Sequence, residues 1–361
     1  MRFIEHLIFT KLAPRSIRYL QRPDYAAANP LAAKALVQMA REFQVAPPVT
    51  LHWSNTRLMA AVWGLARQTL VAEPVARAQR EAVAAVVSGL NVCPYCTDVH
   101  TAMLYGTGND ELAQALEAST VELQDKRGMQ ETLLWAAATL TPDADILKRP
   151  PFSAAAAPTI LGTAIVFHYI NRMVNVFLDK SPLPIPAGWT SLKQAAGRLF
   201  GKFIGQRLVK LHAAPGEALL EFSNYDLPPE FAWANHNANV ASALACFIRV
   251  AEEAGRESVD PEVRMLVLHH LDNWTGKAPG LTNQWTESVV STLPAEKRVA
   301  TRLALLTAIS SYQVDSEVVK AFRAHFPRDR DLVNVTAWAS YAAVRRIAQW
   351  LHPPITATRI C

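Results

Sequence analysis

Glycine, cysteine and net charge are all low in this chain, and each shortage excludes a class of protein. Only 14 of the 361 residues are glycine, which disfavours turn-rich sheet proteins and favours helices. Four cysteines are too few for the disulfide framework of a secreted protein. The net charge of +5 is small, and no cluster resembles a base-reading helix, so we expect no nucleic-acid partner.

Long apolar runs without polar residues are also missing. The best candidate for a membrane span, residues 159–178, is interrupted by His168, Asn171, Arg172 and Asn175. Charged and amide groups in the middle of a span are costly in lipid. The first twelve residues contain no small-residue cleavage site for a signal peptide. Together with the sparse cysteines, these features predict a cytoplasmic protein.

Hydrophobic residues are abundant, at 50% of the chain, and a chain of 361 residues is long enough for two domains. Helical periodicity occurs almost everywhere, and convincing alternating strands do not. The 23 prolines fall mainly at segment boundaries, as expected for the starts and ends of helices. The sequence therefore predicts an all-α fold.

Comparison of the sequence with itself indicates an internal repeat. The stretch that begins at Arg80-Glu81 resembles the one at Pro261-Glu262, and two later segments match in the same order. We therefore predict a tandem duplication. The second copy is about ten residues shorter and has Trp274, Lys277 and Leu281 where the first has two cysteines and a histidine. One half is thus expected to be catalytic and the other structural.

This division predicts five regions. They are an N-terminal helical extension (1–46), a catalytic repeat (47–180), a proline-rich linker with a basic amphipathic helix (181–222), a degenerate repeat (223–352) and a C-terminal tail (353–361). The basic helix could lie on an anionic membrane. We favour a linker helix with solvated charges, and hence expect no membrane partner.

The segment that carries the most chemical information contains Cys93, Cys96 and His100, with Glu81 twelve residues before the first cysteine. The spacing predicts a helix over 77–90 and a second helix that begins at Pro94. Cys96 and His100 then share one face of the second helix. If the two helices pair antiparallel, the Glu81 carboxylate approaches the imidazole.

These groups suffice for thiol redox chemistry. Unpaired N–H groups at a helix start stabilise a thiolate, so one cysteine is expected to have a low pKa and to attack a peroxide or a disulfide. The other cysteine resolves the product, and His100, oriented by Glu81, moves the proton. Spacing alone does not fix which cysteine attacks. A zinc site built from the same four side chains, or simple burial of the cysteines, are the competing interpretations.

The combination Glu81-x11-Cys93-x2-Cys96-x3-His100 resembles the signature of the alkylhydroperoxidase AhpD / carboxymuconolactone decarboxylase family. The resemblance covers about residues 47–180 and implies two tandem AhpD-like helical repeats. It also implies that Cys96 attacks the peroxide, that Cys93 is its disulfide partner, and that Glu81 and His100 form the proton relay. The chain departs from the pattern at Tyr95, where many members have histidine. The family's decarboxylases lack the cysteine pair.

A polar stripe crosses an otherwise apolar predicted helix. It consists of His168, Asn171, Arg172 and Asn175, at helical spacing i, i+3, i+4 and i+7. Either the stripe is a buried network that bridges helices, or it forms a wall of the active site. In the second case we expect Tyr95, His168, Asn171 and Arg172 to bind substrate.

The sequence thus predicts a thiol-dependent peroxidase or disulfide oxidoreductase. We expect neither a metal nor a cofactor beyond a redox-active Cys93–Cys96 disulfide. The expected partners are a hydroperoxide or disulfide substrate, a dithiol or protein reductant, and further copies of the chain in a dimer or trimer. The alternatives are an acid–base enzyme that uses Glu81 and His100, and a redox-responsive binding protein. Cys246 is expected to be an inert core thiol, and Cys361 is simply the last residue.

Overall fold

The computed structural model describes residues 13–72, 76–118, 127–182, 190–211, 213–222 and 226–351. This part of the chain consists of helices and their connections, so the prediction of an all-α fold is confirmed. It contains no strand, and its one extended pairing is an isolated bridge between Ile17 and Leu178. The predicted C-terminal tail, including Cys361, lies outside the described residues.

Seventeen α-helices lie within the described residues. The first nine are α1 (Pro30–Glu42), α2 (Pro47–Thr50), α3 (Thr56–Ala66), α4 (Arg77–Leu90), α5 (Pro94–Gly106), α6 (Asp110–Glu117), α7 (Arg127–Ala137), α8 (Asp145–Lys148) and α9 (Ala157–Phe177). The others are α10 (Thr190–Phe200), α11 (Gln206–Val209), α12 (Ala238–Ser258), α13 (Pro261–Asp272), α14 (Glu287–Val290), α15 (Ala295–Ser310), α16 (Ser316–Arg323) and α17 (Asp329–Leu351).

Shorter turns connect or extend these helices. A π-helical turn continues α3 over Arg67–Val71, and another joins α10 to α11 over Gly201–Gly205. The 3-10 turns are Ala13–Ser16, Tyr25–Ala27, Pro229–His236, Asn283–Thr286 and Ser311–Gln313.

Proline and short polar side chains define where helices begin. Pro30, Pro94 and Pro261 stand at the first turn of α1, α5 and α13, where a missing N–H costs nothing. The Asn55 side chain accepts a hydrogen bond from the Leu58 N–H at 3.2 Å and caps α3. The residue at which a helix begins determines which of its side chains face the core.

The main hydrophobic cluster runs through both halves of the chain. At its centre, α9 packs on α4 of the first half and on α17 of the second. Helix α12 packs against both α3 and α17. The two halves therefore share one core instead of forming two independent ones.

The predicted duplication and its five regions stay a prediction. The order α3, α4, α7, α9 in the first half is matched by α12, α13, α15, α17 in the second. Helix α5, which carries the cysteines, has no such counterpart, because residues 273–282 form no helix. The shorter second copy predicted from sequence concerns this same segment.

One helix, α9, is long and apolar enough by composition to cross a membrane. In the described structure, 94% of the most apolar 18-residue stretch of this helix is buried. A core helix of a folded protein has these same properties.

The linker helices lie directly over the cysteine helix. Helices α10 and α11 and the turn between them pack on α5. Gly201 and Gly205 allow this close approach, since a Cβ at Gly201 would lie 2.8 Å from the Tyr105 Cβ and one at Gly205 3.2 Å from the Gly106 Cα. The sequence predicted only a connecting helix here, and the structure makes it a wall beside the cysteine motif.

Candidate active site

The two helices predicted from the motif occur where the sequence places them. Helix α4 ends at Leu90, and α5 begins at Pro94 with Cys93 as its N-cap. Between them, Val92 has a φ of 51°, a left-handed conformation that is costly for a β-branched residue. The Cys93 N–H donates to the Ser88 carbonyl at 2.9 Å, which ties the first cysteine to the end of α4.

A relay of three side chains joins α4 to α5. The Arg77 Nε donates to Glu81 Oε1 at 2.6 Å. The other oxygen, Oε2, lies 2.6 Å from Nδ1 of His100. Phe167 of α9 packs edge-on against the imidazole with a centroid distance of 4.4 Å. The antiparallel approach of Glu81 and His100 expected from the spacing is therefore present.

Glu81 is a carboxylate in this arrangement. Its side chain is fully buried, and burial alone raises the pKa of a carboxyl. The charges of Arg77 and His100 and their hydrogen bonds outweigh burial and lower the pKa of Glu81 to about 2. A carboxylate can only accept, so the proton of the shared bond belongs on Nδ1 of His100. This tautomer leaves Nε2 of His100 available to accept a proton.

Both cysteines are free thiols in the interior, with Cys93 1% and Cys96 2% exposed. Burial, followed by the neighbouring Cys93, raises the pKa of the Cys96 thiol well above its ordinary value. A hydrogen bond with Asn171 acts in the opposite direction without outweighing them. The low pKa expected of a first-turn cysteine is thus wrong for Cys96, because desolvation exceeds the effect of the helix start.

A cavity of about 920 Å³ lies beside α5. Cys96, His100 and Tyr95 line it, whereas Cys93 is not one of its lining residues. The apolar part of the wall comes from distant parts of the chain, namely Phe43, Trp63, Leu70, Phe167, Ile170 and Phe200. The thiol of Cys96 and the free face of the base can therefore meet one small molecule in an apolar enclosure.

The polar stripe of α9 lies behind the cysteines. Asn171 bonds Ser88 Oγ at 3.0 Å, and Asn91 donates to Asn171 Oδ1 at 3.1 Å. His168 Nε2 lies 2.9 Å from Thr139 Oγ1. These contacts match the buried-network interpretation, and His168, Asn171 and Arg172 are not among the described residues that line the cavity. Their role in substrate binding, like that of Tyr95, stays a prediction.

Arg172 connects this network to the second half of the chain. Its Nη1 donates to Asn91 Oδ1 at 2.9 Å, and its Nε donates to the Ala308 carbonyl at 2.9 Å. Its guanidinium also lies 5.8 Å from the ring centre of Trp274. On the same helix, the Asn175 amide reaches Ser311 Oγ at 3.0 Å. The loop between α4 and α5, residues 91–93, is called the cysteine loop here. Its Asn91 end is thus held in place by α15 and by residues 273–282 of the second half.

In the second half, the position that the predicted duplication pairs with Glu81 carries no buried carboxylate. Glu262 lies at the surface and pairs with Lys297. Leu281 is fully exposed. No second relay of the Glu81–His100 kind is formed by these residues.

Comparison with known proteins gives one informative result. No protein-family profile matches the chain, and no solved structure matches it. Among curated proteins it is similar to alkyl hydroperoxide reductase Rv2159c of Mycobacterium tuberculosis. The two are 32% identical over 353 residues, which span 97% of this chain and 96% of the relative.

The chain belongs to the AhpD-like alkyl hydroperoxide reductase family. The resemblance first noted in the cysteine motif therefore extends over nearly the whole chain. It includes the second half and the linker helices, which the motif alone does not reach.

Sequence reasoning missed several residues of this AhpD-like site. Arg77 stands four positions before Glu81, and that i, i+4 spacing was the signal that could have found it. Phe43 and α10, which wall the cavity, carry no local signal, because their place depends on long-range packing. Cys246 is buried among apolar residues, and burial raises its pKa, in line with an inert thiol.

A metal centre is not formed by the described side chains of this AhpD-like protein. Within the ranges that the structure describes, no group of three or more His, Cys, Asp or Glu is arranged to hold a metal ion. The side chains of Glu81 and His100 hydrogen-bond each other. They do not converge with the two thiols on one metal position. The expectation of a metal-free site stays a prediction.

Proposed function

We propose that this protein reduces organic hydroperoxides with the thiols of Cys96 and Cys93. The observation that carries the proposal is the shared cavity, where Cys96 and His100 face the same space while Glu81 holds the imidazole from behind. The similarity to a protein named alkyl hydroperoxide reductase supports the same reaction. The enzyme would then be an oxidoreductase that needs no cofactor beyond its own cysteines.

The first step forms an S–O bond and breaks the O–O bond. The Cys96 sulfur attacks the terminal oxygen of ROOH, and the alkoxide RO⁻ leaves with the bonding electrons. The thiol proton passes through Nε2 of His100 to the leaving alkoxide, which gives ROH and Cys96 sulfenic acid. Sulfur is oxidised by two electrons, and the peroxide is reduced by two.

The second step restores the thiols. The Cys93 sulfur attacks the sulfur of the Cys96 sulfenic acid and forms the Cys93–Cys96 disulfide. The displaced hydroxide takes up the proton of the Cys93 thiol and leaves as water. An external dithiol then exchanges with this disulfide, becomes oxidised itself and regenerates both thiols. Burial of both sulfurs means that the reductant must be small or must present an extended dithiol.

The base has a specific task because the Cys96 thiol holds its proton at neutral pH. Positioned acid–base catalysis of this kind contributes roughly 10²- to 10⁴-fold to a rate. Glu81 fixes the orientation of the His100 ring by accepting a hydrogen bond from its Nδ1–H. Arg77 keeps Glu81 ionised and in place.

Serine variants of the cysteines test this function. Cys96→Ser and Cys93→Ser should each reduce dithiol-dependent turnover of cumene hydroperoxide by at least about 10³-fold, since both thiols are needed for a catalytic cycle. Cys96→Ser should also abolish the first step, in which the peroxide oxidises the thiol. Cys93→Ser should instead stop at a Cys96 sulfenic acid, seen as a mass gain of about 16 Da, the mass of one oxygen atom.

The matched control is Cys246→Ser, which changes a buried thiol that is not among the described residues lining the cavity and should keep full turnover. Full activity in both Cys93→Ser and Cys96→Ser would contradict the thiol mechanism. It would favour the acid–base enzyme that uses Glu81 and His100 alone. We also propose a cytoplasmic location and assembly into a homo-oligomer.

A further inference from the structure

Three large apolar side chains of the linker helices are exposed on the outside of the protein. Leu192, Leu199 and Phe203 are 49%, 61% and 65% exposed. They stand at i, i+7 and i+11 along α10 and the π-helical turn that follows it, so they share one face. Single exposed apolar residues are normal on a protein surface, whereas an aligned set indicates a contact surface. These three residues are called the outer stripe here.

The other side of the same segment is packed on the helix that carries the cysteines. Gly201 and Gly205 are buried against α5, and Phe200 lines the cavity. The segment is therefore apolar on two sides, and only one of them is covered by the protein. The sequence alone favours a linker helix that packs its apolar side chains and leaves its charges solvated. The outer stripe does not fit that interpretation, because it is exposed together with the charges.

The charges of the linker segment all have one sign. Residues 181–216 contain five lysines and arginines and no aspartate or glutamate. The whole chain has 36 basic and 31 acidic residues, so this segment carries the entire excess of five. The adjacent helix α6 contributes three carboxylates, two of which pair with Lys202 and Arg198. Five basic against three acidic side chains leave the two elements together with a positive charge.

An apolar stripe within a basic surface matches an anionic lipid bilayer. The bilayer offers hydrocarbon to the three apolar side chains and negative headgroups to the basic ones. Lys210, seven residues after Phe203, is exposed and continues the same face. A lysine at that position can lay its aliphatic stem along the lipid and keep its ammonium among the headgroups. A second copy of the same face would instead bring like charges together, which opposes self-association through it.

We propose that the linker helices bind the surface of an anionic membrane, with the outer stripe inserted below the headgroups and the helix axis parallel to the bilayer. The inference goes beyond the proposed peroxidase function and does not depend on it. It departs from the sequence-based expectation of no membrane partner, because the structure exposes apolar side chains that this expectation left packed. Gln194, Gly197 and Phe200 of α10 line the cavity, so membrane binding places one wall of the cavity next to lipid.

Flotation of the reduced full-length protein with lipid vesicles tests the inference. The protein should float with vesicles made of equal parts phosphatidylcholine and phosphatidylglycerol. Binding to vesicles of phosphatidylcholine alone should be at least about ten-fold weaker, because each lysine or arginine near an anionic surface strengthens binding roughly five-fold. Raising the salt concentration from about 0.1 M to about 1 M should weaken binding to the anionic vesicles, since the Debye length falls from about 10 Å to about 3 Å.

A double variant of the outer stripe tests the apolar contact. Leu199→Gln combined with Phe203→Gln should weaken binding to anionic vesicles at least about ten-fold, because membrane affinity scales with the apolar area that is buried. Met265→Gln combined with Leu281→Gln is the matched control, since these side chains are 64% and fully exposed elsewhere on the surface. It should leave binding unchanged. Because all four side chains are exposed, both double variants should keep the thermal unfolding midpoint of the wild type.

Single lysine variants and hydrogen exchange locate the contact. Lys210→Gln should weaken binding to anionic vesicles about five-fold, whereas Lys320→Gln, at an exposed lysine of α16, should leave it unchanged. Anionic vesicles should slow amide hydrogen exchange in peptides that cover residues 190–211. Peptides that cover residues 261–281 should exchange at the same rate with and without vesicles.

Three results would overturn the proposal. The first is no binding to anionic vesicles, or equal binding to both vesicle types. The second is binding that persists when Leu199 and Phe203 are both replaced by glutamine. The third is an oligomer in analytical ultracentrifugation that this double variant dissociates while the wild type binds no vesicles, which makes the outer stripe a subunit interface. Flotation needs no peroxide, so the membrane proposal and the peroxidase function can fail independently.

Discussion

Glu81 is a fully buried residue held between a guanidinium and an imidazole. The folded protein holds it as a carboxylate, and its pKa of about 2 lies below the ordinary value of 4.5. Its ionisation therefore stabilises the fold above the ordinary pKa, and this contribution is lost as pH falls from about 4.5 towards 2. Arg77 is the largest favourable cause of the lowered pKa.

Arg77→Met should therefore both destabilise the protein and move its acid unfolding to higher pH. Without the guanidinium, burial raises the pKa of Glu81, and we expect a loss of roughly 2 kcal/mol in unfolding free energy at pH 7. Denaturant titrations at pH 7, 4.5 and 3 measure both effects. Arg249→Met removes a partner at the same i, i+4 spacing from Glu253 at the surface and should cost less than about 1 kcal/mol. Identical pH curves for Arg77→Met and wild type would contradict this role.

At the scale of elements, the contact between α5 and the linker helices decides how the cavity is enclosed. The contact depends on the absence of a side chain at Gly201, where a Cβ would collide with the Ala102 carbonyl oxygen and approach the Tyr105 Cβ to 2.8 Å. A backbone oxygen cannot move aside as the end of a side chain can. Anything larger than glycine must push α10 away from the helix that carries Cys96 and His100.

Gly201→Ala should lower the unfolding free energy by about 1–3 kcal/mol through overpacking, and it should slow oxidation of Cys96 by octyl hydroperoxide. Gly197→Ala, one turn earlier in α10, adds the same methyl group where nothing lies within 4 Å. It should be neutral or stabilise by roughly 0.5–1 kcal/mol through helix propensity. Equal stability of the two variants would show that α10 does not rest closely on α5.

At the scale of the whole molecule, the second half braces the candidate site, and its described residues form no second Glu–His relay. The hydrogen bonds run from Cys96 through Asn171 and Asn91 to Arg172, and from there to the Ala308 carbonyl. Burial lowers the pKa of Arg172 to about 9, yet it still carries a proton at neutral pH. Three buried oxygens accept hydrogen bonds from that one guanidinium, those of Asn91, His168 and Ala308.

Arg172→Met should lower the unfolding free energy by about 3 kcal/mol, because three buried acceptors each lose a charged donor. It should also slow Cys96 oxidation, since the Asn91 end of the cysteine loop loses its brace. Arg345→Met is the matched control, at the position that the predicted duplication pairs with Arg172. Arg345 is 43% exposed and pairs with Glu230, so its loss should cost at most about 1 kcal/mol. Equal losses in the two variants would contradict the bracing role.

Those features of the protein that depend only on neighbouring residues could be predicted from the sequence. The break between α4 and α5, the first-turn position of Pro94 and the approach of Glu81 to His100 all follow from helix geometry over about twenty residues. The cavity wall did not follow, because Phe43 and Phe200 reach it only through contacts between distant segments. The pKa of Cys96 was mispredicted for a related reason, since burial depends on tertiary packing and not on helix position.

The buried thiol of Cys96 has a consequence for how the resting protein meets other electrophiles. A protonated sulfur inside an apolar wall is a latent nucleophile, inert towards small polar alkylating reagents that gain nothing from the cavity. In the proposed mechanism, the thiol reacts when a bound hydroperoxide excludes water and brings its terminal oxygen between the sulfur and the imidazole. We therefore expect iodoacetamide to modify the Cys96 thiol slowly, and the proposed hydroperoxide substrate to oxidise it fast. Selectivity of this kind comes from the apolar cavity around the Cys96 sulfur, and not from a lowered pKa of the thiol itself.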